Sequence, residues 1–312
     1  MRLSNNLMEI FDIVTKINRK TESEYYTDKC EYYFNSLENI INFSIDSADS
    51  GGRLSPRYRE RRNRNIQRER NIDVPIAQKL SEIISHLTSG ENQSIIEDKY
   101  VKELIDFEPH IMHDQVLARK RYNPSSISNE LRREASIKHR SFIESCKRGD
   151  RNHTIISNLC SLLYVVRNNL KHGGKTPYGP DLHKAERDER ICKATFPILE
   201  MIIDILLEYP SHKLICYGTL RKGQANENFL KGVNEDSIEI SIFGSIELDN
   251  GLPYYKSGLK DEISAELIKN KDLYMDFEKL DKFEGKSYKR ILAPYKLDNE
   301  IFVGNVYVDN RR

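Results

Sequence analysis

No stretch of the chain approaches the roughly 18 apolar residues of a membrane span. The most apolar window, FPILEMIIDILL, carries Glu200 and Asp204 within it. The first residues, MRLSNNLMEIFDIVTKINRK, lack the uninterrupted apolar run of a signal peptide. Cysteine is scarce and scattered: Cys30, Cys146, Cys160, Cys192 and Cys216 form an odd set with no CxxC pair. A disulfide framework and a zinc site are both poorly served by that pattern. His110 and His113 are separated by two residues, but no cysteine or second histidine pair accompanies them. They read as ordinary surface histidines, and no metal or other cofactor is expected. The formal net charge is only +1, so any basic binding surface must be local. No internal repeat is visible. These absences predict a cytoplasmic protein that makes no membrane contact.

The 312 residues predict two domains. Through residue 210 the apolar positions follow a helical rhythm, from about Met8 to Ile41 and again from about Ile76 to Leu87. Ile155, Ile156, Leu159, Leu162, Leu163, Val166 and Leu170 form one stripe that stops at Gly173-Gly174, a natural helix terminator. Another helix is predicted from about Lys184 to Tyr209, with a kink or a start near Pro197. The pattern breaks at Tyr209-Pro210-Ser211. Beyond it, LICYGTL, SIEISIFGSIEL, AELI, SYKRILAPYKL and IFVGNVYV read as strands, and GVNED, DNGLP and LDNE as turns. Met275 to Phe283 alone looks helical there. The fold class expected is therefore an all-α domain over 1–210 followed by a small barrel-like α+β domain over 211–312.

Eight arginines fall between Arg53 and Arg70, against Glu60 and Glu69. Such a run is usually a solvated loop. Its alternative is contact with a nucleic-acid backbone, for which Arg57, Arg59, Arg61, Arg62 and Arg64 are the candidates, since arginine forms two parallel bonds to phosphate.

Arg167, Asn168 and His172 lie at the end of the striped helix, in LLYVVRNNLKHGGKTPYGP. Cations at a helix C-terminus also suit its dipole and free carbonyls. The order Arg-Asn-x3-His inside a helical domain resembles the active motif of the HEPN superfamily of ribonucleases, over about Ser157 to Leu207. That resemblance implies metal-independent RNA cleavage. His172 would move protons, Arg167 would stabilise the charged phosphorane, and Asn168 would orient either. Residues five apart on one helix diverge by about 140° and rise roughly 7.5 Å, so one copy cannot easily bracket a phosphate. The resemblance implies a homodimer that brings two motifs to one cleft.

The second constellation begins with a tight loop, CYGTLRKG, directly after an apolar strand. Backbone amides of such a loop can converge on an anion. Further on, KLDKFEGKSYKR places Glu284 between apolar and aromatic neighbours, where a carboxyl pKa can rise and serve both acid and base roles. An ordinary exposed glutamate before a turn glycine is the plainer reading of that fragment. Together YGTLRKG, FGSIELDNGLPYY, LDKFEGKSYKR and a terminal VYV strand resemble the gamma-glutamylcyclotransferase-like (AIG2-like) family over about Leu214 to Asp309. The resemblance implies that Tyr217, Gly218, Thr219 and Leu220 hold a gamma-glutamyl group and that Glu284 shuttles a proton during cyclisation to 5-oxoproline. The family often carries serine where this chain has Thr219, which keeps the hydroxyl.

Three functions follow. One is an RNA-cleaving toxin or defence effector whose C-terminal domain regulates it or acts on a small molecule, with an antitoxin or regulatory protein as a candidate partner. Another is a cyclotransferase whose helical domain serves dimerisation. A third is an inactive binding module. The arginine run and Arg167 with His172 favour the first, because a dimerisation scaffold needs neither. Glu284 argues against the third.

Overall fold

Ile10, Ile13, Val14 and Ile17 recur at helical spacing, and all four are buried on one side of the first helix, α1 (Leu7–Asn18). The computed structural model of the chain describes residues 7–51, 140–150, 152–173, 182–230, 237–249 and 252–310. The predicted helix near Ile76 to Leu87 lies outside them. Contacts divide the chain into two compact units, one made of Met1–Asn18 with Leu206–Arg312 and the other of Arg19–Ile205. The second unit is thus an insertion in the sequence of the first.

The inserted unit is helical: α2 (Tyr26–Gly51), α3 (Asn152–Gly173) and α4 (Leu182–Leu206), with a further helical stretch over 140–148. The rhythm read from Met8 to Ile41 is broken by a 3-10 turn at Arg19–Glu22. The chain then restarts with its own cap. Ser23 Oγ accepts from the Tyr25 amide at 3.1 Å, and the Glu189 carboxylate of α4 accepts from the Tyr26 and Thr27 amides at 2.6 and 3.1 Å. A carboxylate there satisfies the orphan N–H groups and complements the helix dipole. The stripe on α3 is buried from Ile155 to Val166, and the helix ends at Gly173 as its glycines predict. Helix α4 runs through Pro197 instead of starting there. Among the described residues, no helix is long and apolar enough to cross a membrane.

The other unit is a closed barrel of five strands: β1 (Lys213–Cys216), β2 (Ser237–Asp249), β3 (Leu252–Lys269), β4 (Tyr288–Leu297) and β5 (Glu300–Asp309). The order around the barrel is β1-β3-β2-β4-β5. Every pairing is antiparallel except β1 with β5, which is parallel and closes the ring. Helix α5 (Leu273–Glu284) connects β3 to β4. Mixed α and β content with a barrel is therefore what the turn and strand signals anticipated. The run AELI proves to be part of an 18-residue strand whose register with β2 shifts at Phe243/Gly244.

Side-chain alternation separates two cores. Ile240 and Ile242, Ala265 and Leu267, Ala293 and Tyr295, Val306 and Val308 face the barrel interior at period two. On β1, Ile215 joins them, while Leu214 and Cys216 face outward and pack under Leu273, Phe277 and Leu280 of α5.

Helix α1 packs on the barrel at β4. Its last residue, Asn18, donates from Nδ2 to the Leu292 carbonyl at 2.8 Å and accepts from the Leu292 amide at 2.9 Å. The side-chain amide thus stands in for a neighbouring strand on β4, which shares only two paired positions with β2. Replacing Asn18 by alanine leaves both Leu292 backbone groups without this partner, and the expected loss is about 1–3 kcal/mol in denaturant unfolding.

Candidate active site

A pocket opens where five separate segments of the barrel unit meet. Its walls are Ile215 and Cys216 of β1, the turn Tyr217–Leu220, Pro253 of β3, Glu284 of α5, Tyr288 of β4 and Tyr307 of β5. The space between them, counted out to the open mouth, is about 400 Å³. Tyr217, Gly218, Thr219, Leu220 and Glu284, singled out from sequence on two distant fragments, are here brought to one place.

The turn after β1 is braced from both ends. The Arg221 amide donates to the Gly218 carbonyl at 3.1 Å. Asn226 holds Thr219 twice, its backbone amide donating to the Thr219 carbonyl at 3.0 Å and its Nδ2 to Oγ1 at 2.9 Å. Because Thr219 Oγ1 accepts from Asn226, its own proton remains available as a donor. From β3, Glu266 accepts from the Lys222 amide at 2.8 Å and from Arg221 Nε at 3.4 Å. Gly218 passes so near β3 that a Cβ there would lie 3.0 Å from Pro253 Cγ, which is why the turn carries glycine at that point.

Three tyrosines have their phenolic protons committed to the protein. Tyr217 donates to the Tyr307 carbonyl at 2.8 Å, Tyr288 to the Pro253 carbonyl at 3.2 Å, and Tyr307 to Asp281 Oδ1 at 2.7 Å. Tyr288 also stacks on Tyr254 with ring centroids 4.9 Å apart. Burial, before any charge effect, pushes all three phenols well above their ordinary range, so they stay neutral at pH 7.

Glu284 occupies the last turn of α5, which Gly285 ends at φ 65° with its amide bonded to the Asp281 carbonyl. Burial raises the Glu284 carboxyl from 4.5 to about 7. Among the described residues, no lysine, arginine or histidine lines the pocket to oppose that shift. A carboxyl poised near neutrality can both accept and return a proton.

Sequence reasoning missed Asp281, Tyr288, Arg290 and Tyr307. Arg290 grips Asp281 through two bonds, Nε to Oδ1 at 3.0 Å and Nη2 to Oδ2 at 3.1 Å. Asp281, Tyr288 and Arg290 all fall within KLDKFEGKSYKR, so an acid one helical turn before Glu284 and a nearby arginine were visible signals. Tyr307 is the tyrosine of the terminal VYV strand, but only strand register sets it opposite Arg290.

Arg167 of α3 is buried in an ion pair with Glu38 of α2 and lies 5.7 Å from the Tyr164 ring centroid. Asn168 and His172 fall within α3, but their side chains lie outside the described residues, as do Arg57, Arg59, Arg61, Arg62 and Arg64. Among the described residues, no group of three or more histidine, cysteine, aspartate or glutamate side chains is placed to hold a metal ion.

No protein-family model matches the chain, and a search of curated proteins gave no match. Among solved structures, the chain is similar to the crystal structure of an uncharacterized protein from Pyrococcus horikoshii. The two are 25% identical over 32% of this chain and 79% of the other, with a TM-score of 0.26.

Glu284 ties stability to pH. Its folded pKa of about 7 exceeds the ordinary 4.5, so the folded state binds the proton more tightly than the unfolded chain. Ionisation therefore costs stability progressively from about pH 4.5 to 7, and the full cost is present above that window. Glu284→Gln removes the cost. It is expected to melt higher than wild type at pH 8 and equally at pH 4, as thermal scans at the two pH values will show.

Proposed function

We propose that the barrel unit is a cyclotransferase acting on small gamma-glutamyl compounds, with Glu284 as its single acid–base group. The observation that carries this reading is the Glu284 carboxyl in an apolar, tyrosine-walled pocket beside the Tyr217–Leu220 turn, raised to about 7 by burial. The barrel with its helix between β3 and β4 supports the gamma-glutamylcyclotransferase-like resemblance of Leu214 to Asp309.

The substrate joins a glutamate side-chain carbonyl to an amine through an amide. Ionised Glu284 takes a proton from the substrate's alpha-ammonium and frees its lone pair. The nitrogen attacks the side-chain carbonyl carbon, forming the carbon–nitrogen bond of a five-membered ring. The bond from that carbon to the departing nitrogen then breaks. Two of the ammonium's three protons pass in turn through Glu284 to the departing nitrogen, which leaves as an ammonium. The ring nitrogen keeps the third, and the ring product is 5-oxoproline. The Tyr217–Leu220 turn would hold the glutamyl carboxylate through backbone N–H groups and the Thr219 hydroxyl, since among the described residues the pocket walls carry no cationic side chain.

The ribonuclease reading of the helical unit draws less support from geometry. It needs the Arg167 guanidinium at a phosphate, whereas Arg167 is buried and already engaged by Glu38. In that reading an RNA substrate or a second copy of the chain would have to replace Glu38 as its partner.

The purified chain is expected to release 5-oxoproline from at least one member of a broad panel of gamma-glutamyl amines and dipeptides. Its kcat/KM should rise with pH through about 7, the range in which Glu284 becomes a base. Glu284→Gln should lower kcat by about 10²–10⁴-fold, the usual worth of a positioned acid–base group. Failure of the wild type across the whole panel would sink the assignment. Total RNA with EDTA, tested beside His172→Ala, decides the other reading: cleavage by wild type alone would establish it.

A further inference from the structure

We infer that Asp281 is a positioning residue: clamped by Arg290 and Tyr307, it pins the last turn of α5 and so keeps the Glu284 carboxylate inside the pocket. The inference rests on reading Glu284 as the acid–base group.

The need for a clamp follows from where Glu284 sits. Its carboxyl is shifted by burial alone. On ionising, a carboxylate in apolar surroundings gains hydration by turning out to water. The final turn of a helix is also the part that frays most readily. Something outside that turn must therefore oppose the movement.

Asp281 is placed to supply that opposition. It precedes Glu284 by three residues, about one helical turn, so the two share a side of α5. Its carboxylate takes two bonds from Arg290 of β4 at 3.0 and 3.1 Å and one from Tyr307 of β5 at 2.7 Å. A forked guanidinium on a carboxylate fixes direction as well as distance. Burial by itself would raise the Asp281 carboxyl, but the bonds from Arg290 and Tyr307 outweigh it and hold the group below its ordinary range. Asp281 is therefore ionised whenever Glu284 works.

The clamp extends to the other pocket walls. Arg290 and Tyr307 are direct partners across β4 and β5. The guanidinium lies 4.0 Å from the Phe277 ring centroid of α5, and its Nη1 donates to Asn305 Oδ1 at 3.2 Å. Asn305 Nδ2 donates in turn to the Pro210 carbonyl at 2.7 Å, just before β1. Tyr307 is itself a wall of the pocket, so one carboxylate sets both the turn that bears Glu284 and a tyrosine facing it.

The ionisable groups that face Glu284 are Cys216 of β1, Tyr217 of the turn, Tyr288 of β4 and Tyr307 of β5. Burial pushes each of them up, so none changes charge near neutrality. A change in Glu284 titration in a clamp variant that keeps the charges of Asp281 and Arg290 therefore reports hydration of that carboxyl. The Arg290 and Asp281 side chains are 29% and 43% exposed, so loss of their ion pair should leave the barrel folded.

The test is carbon-13 NMR of the full chain labelled at its glutamate carboxyls, with the Glu284 signal identified by its loss in Glu284→Gln. The wild-type signal should titrate near 7. In Arg290→Lys, which keeps the charge but not the fork, the midpoint should fall by a unit or more, and kcat/KM should drop about 10-fold. Should that variant fail to fold, Tyr307→Phe, which deletes one bond of the clamp and changes no charge, decides by the same readout. A midpoint unmoved in folded variants overturns the inference and leaves the acid–base reading standing. A wild-type Glu284 that already titrates near 4 overturns both. Moved midpoints, with no 5-oxoproline formed from any gamma-glutamyl compound, uphold the clamp and overturn only the substrate assignment.

Discussion

The barrel unit is held closed by four residues. Lys213–Cys216 pairs along one edge with β3 and along the other with β5, and the second pairing is the one parallel contact in the ring. Parallel neighbours cannot be joined by a tight hairpin, so the two strands come from opposite ends of the barrel sequence. Everything at the pocket depends on this short strand. It sends Ile215 into the barrel and Leu214 and Cys216 outward beneath α5, and it ends where the Tyr217–Leu220 turn begins. Without the β1–β5 seam, neither the turn nor α5 would face Tyr307.

The pocket is a balance between two opposed electrostatic demands. Burial keeps Glu284 hard to ionise and raises its pKa to about 7. The same burial penalises the charged form and favours its escape to water. Asp281 answers with the opposite strategy. It is ionised, half-exposed and bonded on three sides, and the bonds from Arg290 and Tyr307 together outweigh its desolvation. Two carboxyl groups one helical turn apart are thus shifted in opposite directions by what surrounds them.

Elsewhere polar side chains repair gaps left by the backbone. Asn18 completes hydrogen bonding at Leu292 of β4, and Glu189 closes the start of α2. Both act over more than 160 residues of sequence separation, which no local pattern encodes. The helical insertion between Asn18 and Leu206 also separates α1 in sequence from the barrel it packs on.

What the sequence determined by itself was whatever repeats at short period. Alternation at period two marked β2, β4 and β5 to within a residue or two, and the helical stripe marked α3 and its glycine stop. The break at Tyr209-Pro210 marked the change from helices to strands. The Tyr217–Leu220 turn and Glu284 were legible as fragments, because a tight turn and a glycine-ended helix are local events. Tertiary structure alone decided their meaning. Only the barrel's closure sets the turn beside Glu284, and only the β4–β5 register sets Tyr307 against Arg290 and through it Asp281. The same holds for Arg167, whose helix was plain but whose partner, Glu38, lies on another helix and turns an apparent surface cation into a buried ion pair. Propensity and periodicity act over a few residues. Burial, register and charge pairing act across the whole chain, and those fix what a side chain can do.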